Sequence, residues 1–345
     1  MLYLDNDAVL RHLSRIDAVA VVADALRRHR DGRTVLPGEA AMYWSTDAGD
    51  TARSLALPAL VERSGGDAVG IKVINANPGN GDRGVPRANG ILVMFDPLTA
   101  RVTAILQAEH VSSRRTAAVT AVAIRHFAPG ARSIAVLGCG VLARAHLEVC
   151  LAELPHLDTL RLYDREPGRA AALAEAARAR PQLAPVEVAV ATSAREAVDG
   201  AQVVVPVTTV TQPYIGLGWL SGTDLVVNVS LDDCARDVFE RCDVLVVDDW
   251  DLVATDDRRL LGRLASAGAI APPVANGERG DGVAGGGGGR PVDLTLGDAV
   301  VAGTVHDPGG LVVVNPFGMG IHDVALGREI VATAAADGSG MRLPR

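Results

Sequence analysis

Between residues 133 and 249 the sequence repeats one pattern: a short, nearly continuous apolar run, then a helical stretch. The runs are "SIAVLG", "TLRLYD", "VEVAVA", "QVVVPV", "LVVNVS" and "DVLVVDD". A strand that is apolar on both faces must be covered on both faces. Runs of this kind alternating with helices therefore imply a parallel sheet with helices above and below it. Residues 128–308 read as one doubly wound, Rossmann-type domain. In a chain of 345 residues, that leaves 1–127 and 309–345 to build a second one.

The flanking regions have a different rhythm. "MLYL" reads as a short strand, and "DNDAVLRHLSRIDAVAVVADALRRHRDG" as one or two helices closed by Gly32. From 51 to 107, strand-like runs ("RSLALPALV", "AVGIKVI", "GILVMFD", "VTAILQ") are separated by Pro, Gly and Asn. "SSRRTAAVTAVAIRHFA" reads as a helix with Ser112 or Ser113 as its cap. "LVVVNPFGMGIHDVALGREIVATAAADG" gives a strand, a turn and a final helix, expected to pack back on the first domain. The fold class is thus α/β: a parallel sheet inserted in a mixed α+β domain. The Gly-rich stretch 275–291 reads as a mobile surface loop with no chemistry assigned to it.

Composition narrows the function. A net charge of −8 lacks the basic surplus of a nucleic-acid binder. The four cysteines form no CxxC pair and no Cys/His cluster with zinc spacing, so no metal is expected and the thiols read as free. No apolar run reaches the roughly 18 residues of a membrane span, and the N-terminus lacks a signal-peptide pattern. The expected location is the cytoplasm.

"SIAVLGCGVLARAHLEVC" is a strand, then Gly138-x-Gly140-x-x-Ala143, then a helix. Gly138 allows the tight turn, Gly140 lets backbone approach a pyrophosphate, and Ala143 lets helix pack on strand. Val141 and Leu142 open the helix, whose free N–H groups face an anion. Asp164 ends the second strand, where an acid binds the ribose hydroxyls of NAD. Arg165 beside it suits the phosphate of NADP, but the acid repels that phosphate, so NAD is expected over NADP. Thr208 and Thr209 follow the fourth strand and Ser230 the fifth, on the sheet edge where cofactors lie. Asp233 sits on the same edge. Asp232 is its rival, and both acids have a bland alternative as caps of the next helix.

One residue stands out by its type. "GIKVI" contains the only lysine, Lys72, among 33 Lys and Arg residues. An unpaired ammonium inside an apolar strand is strongly penalised. Lys72 therefore either snorkels to the surface or faces a site that holds an anion. Unlike Arg, a desolvated Lys can shift its pKa. Arg115, read in the first turn of the "SSRRTAAV" helix, is misplaced for the helix dipole unless it shares a carboxylate with the N–H groups there. In "NPFGMGIHDVA", Gly318 and Gly320 permit close approach to a ligand, with Met319 between them. His322 reads as a surface or capping residue.

These residues carry a resemblance. "GIKVI", "GILVMFDPLTARVTAIL", "SSRRTAAVTAVA", "IAVLGCGVLARAHLE", "NVSLDDC" and "NPFGMGIHDVA" occur in the order seen in the ornithine cyclodeaminase/mu-crystallin family. "VTQPYI", "VVDDW" and the closing "NP-x-GM-x-I-x-D" look like its diaminopropionate-forming branch. The resemblance implies a split substrate-binding and dimerisation domain (1–127 plus 309–345) around the Rossmann domain, a homodimer, and a small amino-acid substrate. It implies hydride transfer from an amine-bearing carbon to NAD, then attack on the imine. It places Lys72 and Arg115 at the substrate carboxylate, Thr116 near the cofactor phosphates and Gly318 at the nicotinamide. Asp233 becomes the acid/base, and Arg87 in "VPRANG" holds a second carboxylate. Two positions depart from the family: its N-terminal arginine falls at Tyr43, and its distal-amine acid at Gln107. That argues against ornithine. Rival readings are a cyclodeaminase or ketimine reductase, or a non-catalytic NAD(P)H-binding protein.

Overall fold

The computed structural model describes residues 1–273, 288–303 and 309–344. The Gly-rich stretch lies outside the described residues up to position 287. Two compact units result: Met1–Arg115 with Gly318–Arg345, and Thr116–Phe317.

In the first unit, β1 (Leu2–Leu4) is followed by α1 (Asn6–Leu13) and α2 (Ala18–Arg30). Asp5 and Asp17 cap these two helices by accepting N–H bonds from Ala8 and Ala20. Gly32, at φ +69°, lies just past the end of α2. Then come β2 (Thr34–Val35), β3 (Ala40–Ser45), β4 (Thr51–Val61), β5 (Ala68–Ala76), β6 (Ala88–Phe95) and β7 (Val102–Gln107). Strands β4 to β7 form an antiparallel meander, with β1 added parallel to β7 and β3 antiparallel to β4. The closing helix, Gly320–Ala336, packs on β4, β5 and β6. Small residues make that contact possible: a Cβ on Gly70 would press on Val324 at 3.2 Å, and one on Gly327 would strike Leu92 and Met94.

α3 runs from Glu109 to Phe127. It starts earlier than the sequence suggested, because Ser113 does not cap it. The Ser113 hydroxyl instead donates back to the carbonyls of Glu109 and His110 from inside the helix. Arg115 therefore lies in the second turn, and the dipole argument for its placement falls away.

The second unit holds β8 (Ser133–Leu137), β9 (Thr159–Tyr163), β10 (Glu187–Val190), β11 (Val203–Pro206), β12 (Leu225–Val227) and β13 (Val244–Val247). It is a parallel sheet, ordered β10-β9-β8-β11-β12, then Val312–Asn315, then β13 and Leu294–Thr295. Val312–Asn315 corrects the expected domain border at 308/309. Its four residues are fully buried and pair with both β12 and β13, so the return to the first unit comes after Phe317. The core around β8, β11 and β12 is Val, Leu and Ala with Phe239. No helix among the described residues is long and apolar enough to cross a membrane. All four cysteines are buried and free.

Candidate active site

The first unit builds its charged centre on β5. Alternation turns Lys72 to the face of the sheet covered by the closing helix, and the residue is 1 % exposed. The snorkelling alternative is excluded. The anion that Lys72 faces is internal: its Nζ donates to Asp323 Oδ2 at 2.7 Å. Asp323 lies in the first turn of the closing helix, where a carboxylate suits the helix dipole. Its other oxygen, Oδ1, is 3.5 Å from Arg115 Nε and makes no hydrogen bond. Two cations thus share one buried carboxylate.

Burial pulls the Lys72 pKa down from 10.5 to about 8. Arg115 pushes the same way, while Asp323 and, more weakly, Glu39 oppose it. Gly318, at φ +99°, places backbone against Arg115; a Cβ there would sit 2.7 Å from Nη1. Met319 is buried at the N-cap of the closing helix and supplies no side-chain cap bond. Gly320 lies on Leu57, where it serves helix-to-sheet packing. His322 corrects the surface expectation. It is fully buried, neither ring nitrogen has a hydrogen-bond partner, and desolvation first, then Arg115, holds it neutral.

The other expected substrate residues scatter. Tyr43 is exposed on β3, in register with Arg53. Arg87 is exposed before β6. Gln107 ends β7. Leu106 is in register with Leu92, and Leu92 with Lys72, so alternation turns Gln107 to the opposite face. Its side-chain Oε1 accepts the N–H of Asn6 at 2.9 Å.

The second unit holds the glycine turn and Asp233. Gly138 has φ +89° and backs onto the carbonyl of Val207, so no other residue fits without strain. Gly140 is the N-cap of α4 (Val141–Val149), makes no side-chain cap bond, and has open space where a Cβ would stand. Ala143 is fully buried beneath. Open N–H groups, open space and Val141 exposed at the helix start fit a dinucleotide's pyrophosphate. Asp164 accepts the N–H of Cys139 at 2.7 Å and that of Glu166 at 2.9 Å, so it also fastens the turn. Its remaining lone pairs stay available to a ribose. Arg165 and Thr209 are exposed, and Thr116 is half-buried near the start of this unit.

Asp232 and Asp233 separate cleanly. Asp232 accepts the N–H of Leu260 and pairs with Arg263 at 2.8 Å, so it is the structural acid. Asp233 Oδ1 accepts from Thr208 Oγ1 at 2.6 Å and Tyr214 Oη at 3.0 Å. Its Oδ2 is buried with no partner. Desolvation raises its pKa, and the hydroxyls around it oppose the rise. Ser230 Oγ accepts the N–H of Thr208 and so sets that loop.

Tyr214 and Asp323 were missed by sequence reasoning. The "x-D" that closes the last motif and the "QPYI" after β11 were the available signals.

A model of the ornithine cyclodeaminase/mu-crystallin family matches residues 2–246. The chain belongs to that family. Family membership makes it an oxidoreductase of the nicotinamide-dependent class that acts on amino acids or imines. Among its relatives is N-((2S)-2-amino-2-carboxyethyl)-L-glutamate dehydrogenase of Staphylococcus aureus, 28% identical over 94% of this chain and 93% of that protein. The crystal structure of CmnK covers 100% of this chain and 98% of its own, with a TM-score of 0.86 and 34% identity. The Thermococcus litoralis Δ1-pyrroline-2-carboxylate reductase, solved with NADH and L-proline, shares the fold of this family member at a TM-score of 0.82 and 19% identity, covering 99% of this chain and 100% of that one.

Proposed function

We propose that this enzyme oxidises N-(2-amino-2-carboxyethyl)-L-glutamate and hydrolyses the product to L-2,3-diaminopropionate and 2-oxoglutarate. The pathway would be siderophore or antibiotic biosynthesis, with the enzyme a cytoplasmic homodimer using NAD. One observation carries the reading: Lys72 and Arg115 share a single buried carboxylate, Asp323, so the centre keeps an unspent positive charge. An amino acid's carboxylate supplies the missing negative charge. The similarity to the Staphylococcus aureus dehydrogenase supports the choice of substrate.

In this reading Lys72 and Arg115 grip the α-carboxylate of the glutamyl part. Gly138, Gly140 and the start of α4 would hold a nicotinamide cofactor, whose chemistry is to take a hydride from an amine-bearing α-carbon and so produce a C=N bond. Asp233, through its partnerless Oδ2, takes a proton as water adds to the imine carbon. The same carboxyl then returns a proton to nitrogen as the C–N bond breaks, while the carbinol hydroxyl gives up its proton to water and becomes the C=O of 2-oxoglutarate. Thr208 and Tyr214 keep Asp233 aimed by holding Oδ1. Mixing the enzyme with NAD and the substrate tests the proposal through absorbance of reduced cofactor. Turnover only of ornithine, or of a cyclic imine with NADPH, would replace it. Cofactor binding without any turnover would make the protein a binder.

A further inference from the structure

Asp232 and Asp233 are consecutive and both buried, yet they meet opposite kinds of partner. Their Cα atoms stand about 3.8 Å apart, as across any trans peptide. Asp232 turns to the helix Leu260–Ser266. Its Oδ1 accepts the N–H of Leu260 at 2.6 Å, and its Oδ2 accepts from Arg263 Nη2 at 2.8 Å. Asp233 turns to the segment after β11, where the hydroxyls of Thr208 and Tyr214 bond to it. Among the described residues Asp233 makes no ion pair.

Arg263 is fixed on Asp232. Its Nη1 donates to the carbonyls of Asp257 at 3.2 Å and Arg258 at 2.9 Å, which closes the guanidinium onto the turn that precedes its own helix. Arg259 anchors that turn. It donates to the carbonyls of Pro316 and Phe317, each at 2.9 Å, with its guanidinium carbon 4.9 Å from the centre of the Phe317 ring.

Neighbouring carboxylates disfavour each other's charge. Desolvation first raises the pKa of Asp233, the hydroxyls of Thr208, Ser230 and Tyr214 oppose the rise, and the charge of Asp232 adds to it. Tyr214 and Cys234 also face Asp233, and burial first, then the Asp233 charge, keeps both protonated. The net charge beside Asp233 is therefore set by Asp232 and by the guanidinium fastened to it. Two acids in one environment share a proton, whereas environments this different give them separate parts.

We propose that Arg263 is a positioning residue of the reaction: it fastens Asp232 as the charged member of the acid pair and so leaves the exchangeable proton to Asp233. The proposal rests on the acid/base part given to Asp233 above and deepens it.

Two readouts test it. One is the acidic limb of kcat/KM with NAD and the proposed substrate. The other needs no turnover: the infrared band of the protonated Asp233 carboxyl, identified by its loss in Asp233→Asn. Arg263→Gln strips the counter-charge from Asp232 and should move both to higher pH by roughly one unit, the scale of unit charges several ångströms apart in partly hydrated protein. Asp232→Asn keeps an acceptor for Leu260 and should move both to lower pH. Arg263→Lys keeps the charge and should hold both near their wild-type positions. A merely structural part would lower activity in the first two variants without opposite shifts. Shifts of the band in one direction, or none, overturn the part given to Arg263 and leave the function standing. A wild-type pH profile in Asp233→Asn, with the band still shifting in opposite directions, overturns the acid/base reading of Asp233 and leaves the charge pairing standing.

Discussion

Lys72 Nζ lies 2.7 Å from Asp323 Oδ2, and the two residues are 251 positions apart in the chain. The chain's one lysine is thus held by the last helix, inside the sheet.

The pair makes the state of Lys72 measurable. Because there is a single lysine, protein labelled with nitrogen-15 at the lysine side chain gives one ammonium resonance. Its titration is expected near pH 8, as burial and Arg115 dictate. Asp323→Asn should move it lower, since Asp323 favours the charged form, and Arg115→Gln should move it higher. An inflection near 10.5 that neither variant moves would contradict the buried pair.

Stability should follow the same proton. The folded state releases it near pH 8 and the unfolded state near 10.5, so in that window the unfolded chain binds more protons and stability rises with pH. Urea unfolding at several pH values should show this rise in wild type relative to Lys72→Met. Removing only the acid, as Asp323→Leu, leaves a buried cation and should cost about 3–5 kcal/mol. The double variant Lys72→Met with Asp323→Leu should recover most of that loss.

Asp233 offers a separate pH signature. Its pKa is raised by desolvation, and Tyr214 and Thr208 restrain the rise. Tyr214→Phe is expected to move the acidic limb of kcat/KM to higher pH, with little change at the plateau. Asp233→Asn should lower kcat about 100-fold or more, the range of general acid–base catalysis, while cofactor binding persists. A Tyr214→Phe profile that overlays wild type would separate Tyr214 from the acid.

The glycine turn can be tested by binding alone. Gly140→Val fills the open space before α4 and should weaken NADH binding at least tenfold, read by fluorescence. With NAD as the proposed cofactor, the Asp164 carboxylate should repel the extra phosphate of NADPH, and Asp164→Asn should narrow the gap between NADH and NADPH binding. Asp164→Ala also frees the Cys139 N–H and should loosen the turn.

Much of the fold could be read from the sequence because its strands are runs of Val and Leu, and local composition alone marks such runs. Gly138 was legible because a positive φ admits few residues. Two kinds of feature were not legible. The start of α3 was hidden because Ser112 and Ser113 look like caps, while the helix extends back to Glu109. Asp323 and Tyr214 were hidden because their partners are set by tertiary folding. No spacing rule joins Lys72 to a residue on the last helix, or Tyr214 to the end of a neighbouring strand.

The sole lysine is shut inside the protein, which leaves its surface almost without primary amines. Acylating reagents, aldehyde fixatives and amine-coupled sensor chips would find no exposed lysine to react with. Any acetyl group that reaches Lys72 would have to arrive while the centre is open. The rate of its acylation is then a clock for opening, read by mass spectrometry against a background of zero competing side chains.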